Sequence, residues 1–551
     1  MVTTILGFLS PWPYPCSINS IFPITDKTIM LPPILPHSHT LLDSFLQTAR
    51  NIETVENDAV ECGYEKWSYG DLDVISTGLA IEIKEVYGLK PTISVVSENH
   101  PYILAVMLAT WKLGGVYAPL DHHAPQELLQ HMIINVAPTL VVTPSSDEHI
   151  KQLLRGISYF TFNTFLRSHC TAVMNVHYMT FDVKTTSMTT LSQRFLNLSP
   201  DLSPVEYPLP SPSDIALFIH TSSASSITNL KCVPLAHQSV ISGARSRLAW
   251  WKKTWPDKDF KNLRVFGWSP WSHILGICHD LVGAMFATAG CYFFGVIPST
   301  YTSPEYTDEH EGDSDILSRL FDAAIRIKPD VFVGVPWVLE GFKDKWSQEK
   351  VADKKEIMQE VLQNMKVFGC AGAALSKELA LWAKDMNISV IVDIGMTELG
   401  GEYALDLNPC LFCLYIMLII GGLFSSKIDD FDRYGWLIKD CLIPDAELSL
   451  VDEDGNEDPQ GITQCFTFDH FLIVTVFPEG ELVITSKMIS QGYLKFDNSA
   501  FSKVLDGRTT FRTGDIYAKP DDEHIIWKGR KDDYIQVCPF TVRSFLFFNF
   551  T

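Results

Sequence analysis

The sequence predicts an α/β protein with two doubly wound sheets and a smaller β-rich unit behind them. Three observations support this prediction. Residues 41–135 alternate between segments with helical apolar spacing and short β-branched runs, and a second stretch of this kind runs from about 214 to 400. Short segments of alternating polarity, separated by turn residues, begin at about 435. Strands that alternate with helices pair in parallel, and the helices cover both faces of the sheet.

Individual elements of the first alternating stretch can be placed. Residues 39–50 have apolar positions at helical spacing, and 91–99 form a β-branched run. Residues 101–115 predict a helix that ends at glycines, because glycine readily adopts the left-handed backbone conformation that ends a helix. Another buried strand is predicted at 139–146, whereas 185–213 are rich in Ser, Pro and Leu without periodicity and predict a connection.

Length and charge narrow the possible functions. The 551 residues support two to four domains, and 46% of them are apolar, which is too many for a disordered chain. Because 43 Lys and Arg face 65 Asp and Glu, the formal net charge is −22. This excess of negative charge argues against nucleic acid or an anionic membrane as a partner. Twelve cysteines are far below the density of a disulfide scaffold, so reduced thiols in a cytoplasmic protein are expected.

Two apolar segments raise the question of targeting. Residues 1–38 contain a short apolar piece that no Lys or Arg precedes and that prolines interrupt, so it fits a secretory signal poorly and is left as a poorly defined N-terminal segment. Residues 409–424 are apolar throughout, but sixteen residues rise only about 24 Å as a helix, short of the ~30 Å hydrocarbon core. A membrane span and a buried segment both remain open for this stretch.

The first stretch that suggests chemistry is TSSASSITNLKCVPLAH (221–237), directly after the apolar strand 216–220. Backbone N–H groups and hydroxyls can surround phosphate oxygens, and one ammonium can supply positive charge. A Ser-rich surface loop is the alternative interpretation of this segment by itself.

The second is IVDIGMTELGGE (391–402), where a strand leads into Thr397 and Glu398. The carboxyl edge of a sheet is where α/β proteins bind ligands, and a carboxylate there can hold Mg²⁺ together with phosphate oxygens. A capped loop is the alternative.

The third combines FRTGD (511–515) with GRKDD (529–533). Asp515 could accept hydrogen bonds from vicinal ribose hydroxyls, and Arg530 could bind ribose or phosphate through its planar guanidinium group. Taken singly, each segment could be an ordinary hairpin turn.

In their order and spacing these segments resemble the adenylate-forming, or AMP-binding, superfamily of acyl-CoA synthetases, nonribosomal peptide synthetase adenylation domains and luciferases. The resemblance covers about 40–537 and is closest in style to fungal synthetase-like reductases. Further matching segments are WSYGDLD (67–73), WKLGGVYAPLDHHAP (111–125), WSPWSHILG (268–276), FGCAGAALS (368–376) and GELVITSKMISQGYL (480–494).

The resemblance implies an activity and a set of partners. Such enzymes use ATP and Mg²⁺ to convert a small carboxylic acid into an acyl-adenylate and then pass the acyl group to a thiol. That thiol belongs to CoA or to the phosphopantetheine of a carrier domain. A fatty-acyl or aryl CoA ligase and a non-catalytic nucleotide-binding remnant are the alternatives.

The resemblance also assigns roles to individual residues. Glu398 would hold Mg²⁺, Thr397 would contact the α-phosphate, and Asp532 matches the hinge of the family. The phosphate loop would comprise Thr221, Ser222, Ser223, Ser225 and Lys231. The ribose site would comprise Asp515 and Arg530. The adenine and acyl pocket would comprise Gly372, Ala373 and His273. His273 could equally be a histidine with its partners in the core.

The sequence departs from the family pattern at several points. Ser223, Ser226 and Cys232 stand where the family loop has glycines, and a side chain there hinders close approach of the backbone to phosphate.

The resemblance and the departures together predict a domain organisation. We expect α/β subdomains at 39–400, a β-rich subdomain resembling a small distorted barrel at 401–530, and a hinge with the start of a mobile C-terminal domain at 531–551. The rest of that mobile domain is not expected within this chain. Apolar inserts at about 405–427 and 463–477, and the segment 538–551, interrupt the pattern and support the hypothesis that they are translated introns.

Overall fold

The structure is a computed structural model of the full chain. It describes residues 40–51, 53–62, 65–144, 177–181, 209–221, 230–254, 257–260, 262–282, 292–295, 316–371, 375–399, 401–406, 436–438, 447–452, 455–457, 478–519, 524–531, 534–537 and 540–543.

Nine α-helices lie within these residues: α1 (Leu41–Ala49), α2 (Tyr69–Tyr87), α3 (Pro101–Lys112), α4 (Gln126–Val136), α5 (His237–Thr254), α6 (Ile316–Ile327), α7 (Pro336–Gln348), α8 (Ala352–Asn364) and α9 (Lys377–Asp385). A π-helical segment spans Leu275–Val282, and a 3-10 turn spans Thr397–Leu399.

The strands of the two α/β layers are β1 (Asp58–Cys62), β2 (Glu65–Ser68), β3 (Thr92–Val96), β4 (Val116–Leu120), β5 (Leu140–Pro144), β6 (His177–Phe181), β7 (Ile215–His220), β8 (Cys232–Ala236), β9 (Arg264–Gly267), β10 (Tyr292–Gly295), β11 (Val331–Gly334), β12 (Val367–Ala371), β13 (Val390–Met396) and β14 (Gly401–Asp406).

The later strands are β15 (Trp436–Ile438), β16 (Glu447–Val451), β17 (Glu479–Ser486), β18 (Phe501–Lys503), β19 (Thr509–Ala518), β20 (His524–Arg530), β21 (Tyr534–Val537) and β22 (Phe540–Arg543).

The first sheet has six strands in the order β6-β5-β3-β4-β7-β8. All neighbours are parallel except the last pair, in which β7 and β8 run antiparallel around the hydroxyl-rich loop. The parallel arrangement places the ends of β3 and β4 side by side, because Val96 pairs with Leu120. Loops at this carboxyl edge are therefore neighbours in space.

The second sheet has eight strands in the order β14-β13-β12-β11-β9-β10-β1-β2. Its interior pairs are parallel, and each outer strand is antiparallel to its neighbour. The early strands β1 and β2 lie in this sheet, whereas the later pair β7 and β8 lies in the first. The α/β class is confirmed. Each sheet, however, takes two strands from the part of the chain that supplies most of the other sheet.

Helix α2 shows how the local sequence sets an element boundary. The Ser68 hydroxyl accepts from the Asp71 N–H, and the Asp71 carboxylate accepts from the Ser68 N–H, each at 3.0 Å. This reciprocal pair satisfies two donors that the first helical turn leaves without partners. The segment WSYGDLD therefore begins a helix, as its Ser-x-x-Asp spacing favours.

Helix α3 lies between the two layers, and every one of its twelve residues is buried. It ends at Lys112 and is followed by Gly114 at φ +68°, so the predicted stop at the glycines is confirmed. A Cβ at Gly115 would lie 2.2 Å from the Pro91 carbonyl oxygen. Only glycine fits where the connection from α3 to β4 passes Pro91, the residue before β3.

The predicted small β unit forms a six-stranded antiparallel sheet, in the order β15-β20-β19-β17-β16 with β18 beside β19. The segment after β17 joins it to the first sheet. The Ser490 hydroxyl donates to the Pro234 carbonyl at 2.8 Å, and the Leu494 N–H donates to the Cys232 carbonyl at 2.8 Å. Residues 490–494 thus lie along the strand that follows the hydroxyl-rich loop.

Within the described residues, no helix is long and apolar enough to cross a membrane. The predicted apolar insert at 463–477 and all but residues 405–406 of the insert at 405–427 lie outside those residues, as do the N-terminal segment 1–38 and Asp532.

Candidate active site

Thr221 and Lys231 stand at the two ends of the hydroxyl-rich loop and are held together. The Thr221 N–H donates to the Lys231 carbonyl at 2.9 Å, and the Lys231 N–H donates to the Thr221 hydroxyl at 3.3 Å. These bonds extend the antiparallel pairing of β7 and β8, so the loop begins and ends at one place. Ser222, Ser223 and Ser225 of this loop lie outside the described residues.

Thr397 and Glu398 follow β13 directly, at the carboxyl edge of the second sheet, as the sequence predicts. Thr397 is buried and Glu398 is half-buried in the 3-10 turn. The Glu398 carbonyl accepts from the Ser490 N–H at 2.7 Å. Because residues 490–494 also contact β8, this one segment touches both the Thr-Glu turn and the end of the loop that carries Lys231.

Tyr493 brings the two predicted groups together. Its hydroxyl donates to Glu398 Oε1 at 2.7 Å, and Lys231 Nζ lies 4.5 Å from the centroid of its ring. Burial, and then the Glu398 carboxylate, raise the pKa of the Tyr493 hydroxyl above its usual value. The hydroxyl therefore stays protonated and donates, while the ring face carries a cation–π contact.

The sequence interpretation assigned Tyr493 no role, although it lies in the matched segment GELVITSKMISQGYL. A glycine before an aromatic residue was the only local signal. Nothing in the spacing indicates that this aromatic residue reaches a glutamate 95 positions earlier.

Asp515 and Arg530, the residues predicted for the ribose site, are paired on the neighbouring strands β19 and β20. Arg530 Nη1 lies 3.1 Å from Asp515 Oδ1 and 3.1 Å from the Thr513 carbonyl oxygen. Asp515 is 8% exposed, whereas the Arg530 side chain is 48% exposed. The carboxylate is thus fixed by its neighbours, and the guanidinium group faces outward.

The backbone between Thr513 and Asp515 explains why this motif contains glycine. The segment FRTGD lies inside β19 and not at a hairpin turn, and Gly514 has φ +76° within the strand. A Cβ at Gly514 would lie 3.2 Å from Arg530 Nη2. Glycine therefore permits both the left-handed backbone and the close approach of the guanidinium group.

Glu481 on β17 supports this part of β19. It accepts from Arg512 Nη2 at 2.6 Å and from the Gly514 N–H at 3.2 Å, and Lys531 Nζ lies 3.5 Å away. Burial opposes ionisation of Glu481, but Arg512 and Lys531 outweigh it and lower its pKa. A charged Glu481 thus holds the segment of β19 that carries Asp515.

The Asp515–Arg530 pair and the Lys231–Tyr493–Glu398 group lie within electrostatic range of each other. The positive charge of Arg530 lowers the pKa of Tyr493, against the larger effects of burial and Glu398. This part of the molecule therefore carries two cations, two carboxylates and a phenol hydroxyl.

His273 precedes the π-helical segment and is half-buried. Its Nδ1 accepts from the Leu275 N–H at 3.2 Å, and burial lowers its pKa while Asp121 opposes the change. A neutral ring that accepts from the backbone caps the start of this segment. The predicted pocket residues Gly372 and Ala373 lie outside the described residues.

The carboxylate of Glu398 fits the predicted role of a Mg²⁺ ligand in its chemistry. Mg²⁺ is commonly bound by one or two carboxylates together with substrate phosphates and water. Lys231 Nζ and Glu398 Oε1 both contact Tyr493, so an ammonium and a carboxylate flank one side chain. This arrangement suits a polyanion that is bound partly by a cation of the protein and partly by a metal ion.

A family model described as "AMP-binding enzyme" matches residues 48–494, most of the chain. Hispidin synthase of Neonothopanus nambi is 36% identical over 508 residues, which are 90% of this chain and 26% of that protein. The chain therefore spans about a quarter of the length of this relative. Asp515 and Arg530 lie beyond the end of the family match.

Solved structures share the fold. ATP-bound MatB from Rhodopseudomonas palustris aligns with a TM-score of 0.63 at 17% identity, over 91% of this chain and 81% of that one. The anthranilate CoA ligase AuaEII in complex with anthranoyl-AMP aligns with a TM-score of 0.61 at 15% identity, over 92% and 80% of the two chains. At these identities the similarity establishes the architecture, with its two sheets and its separate β unit.

Proposed function

The chain belongs to the AMP-binding enzyme family, and we propose that it activates a small carboxylic acid as an acyl-adenylate for transfer to a thiol. The observation that carries the proposal is the contact of Lys231 and Glu398 with the same Tyr493 side chain. Lys231 and Glu398, 167 positions apart in the sequence numbering, both contact this side chain, and we assign the triphosphate of ATP and its metal ion to this place.

In the proposed reaction, ATP supplies the α-phosphorus that an oxygen of the carboxylate substrate attacks, and pyrophosphate leaves as its bond to that phosphorus breaks. Both reactants are anions, so the protein must place positive charge between them. We assign this charge to Lys231, aided by the hydroxyl of Thr397. Glu398 would hold Mg²⁺, and Tyr493 would fix the orientation of its carboxylate.

Asp515 and Arg530 would bind the ribose. Arg530 already holds the buried carboxylate, and the Thr513 hydroxyl, which accepts from the Asp515 N–H at 3.0 Å, fixes the backbone of Asp515. Fixed acceptors bind vicinal hydroxyls with little loss of side-chain entropy. Ser222, Ser223 and Ser225 remain predicted phosphate contacts, Gly372, Ala373 and His273 remain predicted pocket residues, and Asp532 remains the predicted hinge.

Two acceptors for the acyl group are compatible with the comparisons. The sequence relatives include Ferrichrome siderophore peptide synthetase of Mycosarcoma maydis, a peptide synthetase by its name, which supports a carrier-bound phosphopantetheine thiol. AuaEII is a CoA ligase by its name, which supports CoA. The sequence relationship to large synthetases makes the carrier-bound thiol our first proposal.

The test is ATP–pyrophosphate exchange by the full chain with a panel of aliphatic, aryl, α-keto and amino acids. We expect exchange with at least one acid, and we expect Lys231→Met to reduce it by about 10–100-fold, the value of a hydrogen bond to a charged group. Lys503→Met is the matched control, because it also removes an ammonium. Among the residues that the structure describes, the Lys503 ammonium donates only to Gln491, at 3.4 Å.

Three outcomes would overturn parts of the proposal. ATP binding without exchange would indicate a non-catalytic nucleotide-binding protein. Failure to bind ATP in the presence of Mg²⁺ would refute the nucleotide site itself. If exchange occurs and the product is recovered only on CoA, as judged by mass spectrometry, the carrier-bound acceptor is wrong.

A further inference from the structure

Three potential metal ligands lie at the carboxyl edge of the first sheet, apart from the Thr-Glu turn of the second sheet. Glu98 follows β3, and His122 and His123 follow β4. Because β3 and β4 are adjacent parallel strands, with Val96 paired to Leu120, their following loops meet at this edge. The proximity of a carboxylate and two imidazoles is therefore built into the sheet.

The ligand atoms are close enough to share one ion. One atom from each of Glu98, His122 and His123 lies within 4.8 Å of the other two. His122 Nε2 lies 3.5 Å from Glu98 Oε1, and the two imidazole centroids are 3.7 Å apart. In a tetrahedral site with bonds of about 2.0–2.2 Å, neighbouring ligand atoms are separated by about 3.3–3.6 Å. The His122–Glu98 separation already fits this geometry.

The surroundings of the His122 ring nitrogens also favour a role in binding a metal ion. Apart from the 3.5 Å contact of Nε2 with Glu98 Oε1, neither ring nitrogen has a hydrogen-bond partner among the residues that the structure describes, although both are shielded from solvent. The whole side chain is only 15% exposed. Burying an imidazole without hydrogen bonds is costly, and a metal ion would take up a lone pair on this ring.

The loop that carries the histidines is held by the side chain of Asp121. The His123 N–H donates to Asp121 Oδ1 at 2.9 Å, which fixes the turn between the two imidazoles and β4. His123 is exposed, so its side chain can rotate toward the other two ligand atoms without displacing core residues. Because the three ligand atoms already lie within 4.8 Å of one another, neither strand has to move for them to share an ion.

We propose that Glu98, His122 and His123 form a binding site for a divalent transition-metal ion, with Zn²⁺ as the best fit. Two imidazoles and one carboxylate are a usual set of protein ligands for Zn²⁺, and imidazole is a poor ligand for Mg²⁺. Three protein ligands leave a fourth position for water or for a group on a bound molecule. The site is distinct from the Mg²⁺ position proposed at Glu398.

A metal ion here would also stabilise the segment that leads to His273 of the predicted adenine and acyl pocket. Asn99, next to Glu98, donates to the Ser269 carbonyl at 2.9 Å and accepts from the Trp271 N–H at 2.8 Å. These residues lead into His273 and the π-helical segment. Holding the Glu98 loop would therefore hold the backbone at the start of that segment.

The test uses the full chain, stripped of metal with a chelator and then titrated with Zn²⁺ alone in a calorimeter. Co²⁺ is used in parallel, because four-coordinate Co²⁺ has strong visible absorption bands. We expect one equivalent to bind, and we expect His122→Asn and Glu98→Gln each to weaken binding by at least ten-fold, on the order of the loss caused by removing even a supporting group.

Controls separate a lost ligand from a damaged fold. His131→Asn removes a half-buried histidine of helix α4 and should leave the affinity unchanged. His123→Asn alters an exposed side chain, so weakened binding with an unchanged circular dichroism spectrum would support the assignment. The proposal is refuted if the stripped chain takes up no stoichiometric Zn²⁺, or if it takes up Zn²⁺ equally well with all three ligand residues replaced.

Discussion

The buried ion pair of Lys112 and Asp73 gives the most direct stability prediction. Lys112 is 3% exposed, and its ammonium donates to Asp73 Oδ1 at 2.5 Å, to Thr77 Oγ1 at 2.7 Å and to Ser76 Oγ at 2.8 Å. Arg50 Nε donates to the second oxygen of Asp73 at 2.9 Å. Burial opposes ionisation of Asp73, but the two cations outweigh it and lower its pKa to about 2.

Replacing Asp73 with Ala leaves the Lys112 ammonium inside the protein without a counter-ion. Loss of one partner from a buried pair costs about 3–5 kcal/mol. The hydroxyls of Ser76 and Thr77 remain, so we expect a value near the lower limit, about 3 kcal/mol, or roughly a 100-fold change in the unfolding equilibrium. Adding Lys112→Met removes the stranded charge and should restore part of the lost stability.

Chemical denaturation followed by circular dichroism measures these changes as shifts in the midpoint. The matched control is Asp58→Ala, which breaks an ion pair with Lys66 whose side chains are both about half exposed. Such surface pairs contribute about 0–1 kcal/mol. If Asp73→Ala shifts the midpoint no more than the control, or if Lys112→Met adds to the loss, the argument from burial is wrong.

Three further predictions concern the candidate site and its surroundings. Asp515→Ala should weaken ATP binding by about 1–3 kcal/mol, measured by calorimetry, because a charge-assisted hydrogen bond to ribose is lost, and unchanged affinity would contradict the ribose assignment. Tyr493→Phe keeps the ring but removes the hydroxyl that holds Glu398, so pyrophosphate exchange should fall roughly ten-fold without a change in the denaturation midpoint, and an unaltered rate would show that the bond is unimportant. Burial lowers the pKa of His220 and of His237 to about 4. Since the unfolded chain then binds more protons between pH 6.5 and 4, stability should fall as the pH falls through that window, by at most about 1.4 kcal/mol per pH unit for each histidine. His220→Gln should flatten this slope in denaturation midpoints measured across the window, and an identical slope would refute its contribution.

Much of the fold could be predicted because its elements depend on nearby residues. The β-branched run at 91–99 and the Ser68–Asp71 spacing define a strand and a helix start through interactions a few residues long. The positions of Thr221 and of the Thr-Glu turn were predictable because each lies immediately after a strand. The resemblance assigned Asp515 and Arg530 to one site, and the two residues lie opposite each other on β19 and β20.

Other features depend on which distant segments meet, and local patterns carry no information about that. Strands β1 and β2 look like part of the first alternating stretch, yet they pair with β10 of the second sheet. The contact of Tyr493 with both Lys231 and Glu398 arises only because residues 490–494 lie along β8. The same holds for Glu98 and the two histidines, which adjacent parallel strands bring together.

The sequence by itself determined the α/β class, the family resemblance and the residue types available for phosphate, ribose and Mg²⁺. These follow from periodicity and from short motifs, which act over a few residues. Only the tertiary structure decided which sheet each strand joins, that Tyr493 links the lysine to the glutamate, and that Glu98 lies beside His122 and His123. Those outcomes depend on burial and on pairing between segments far apart in the chain, and such interactions exist only once the chain has folded.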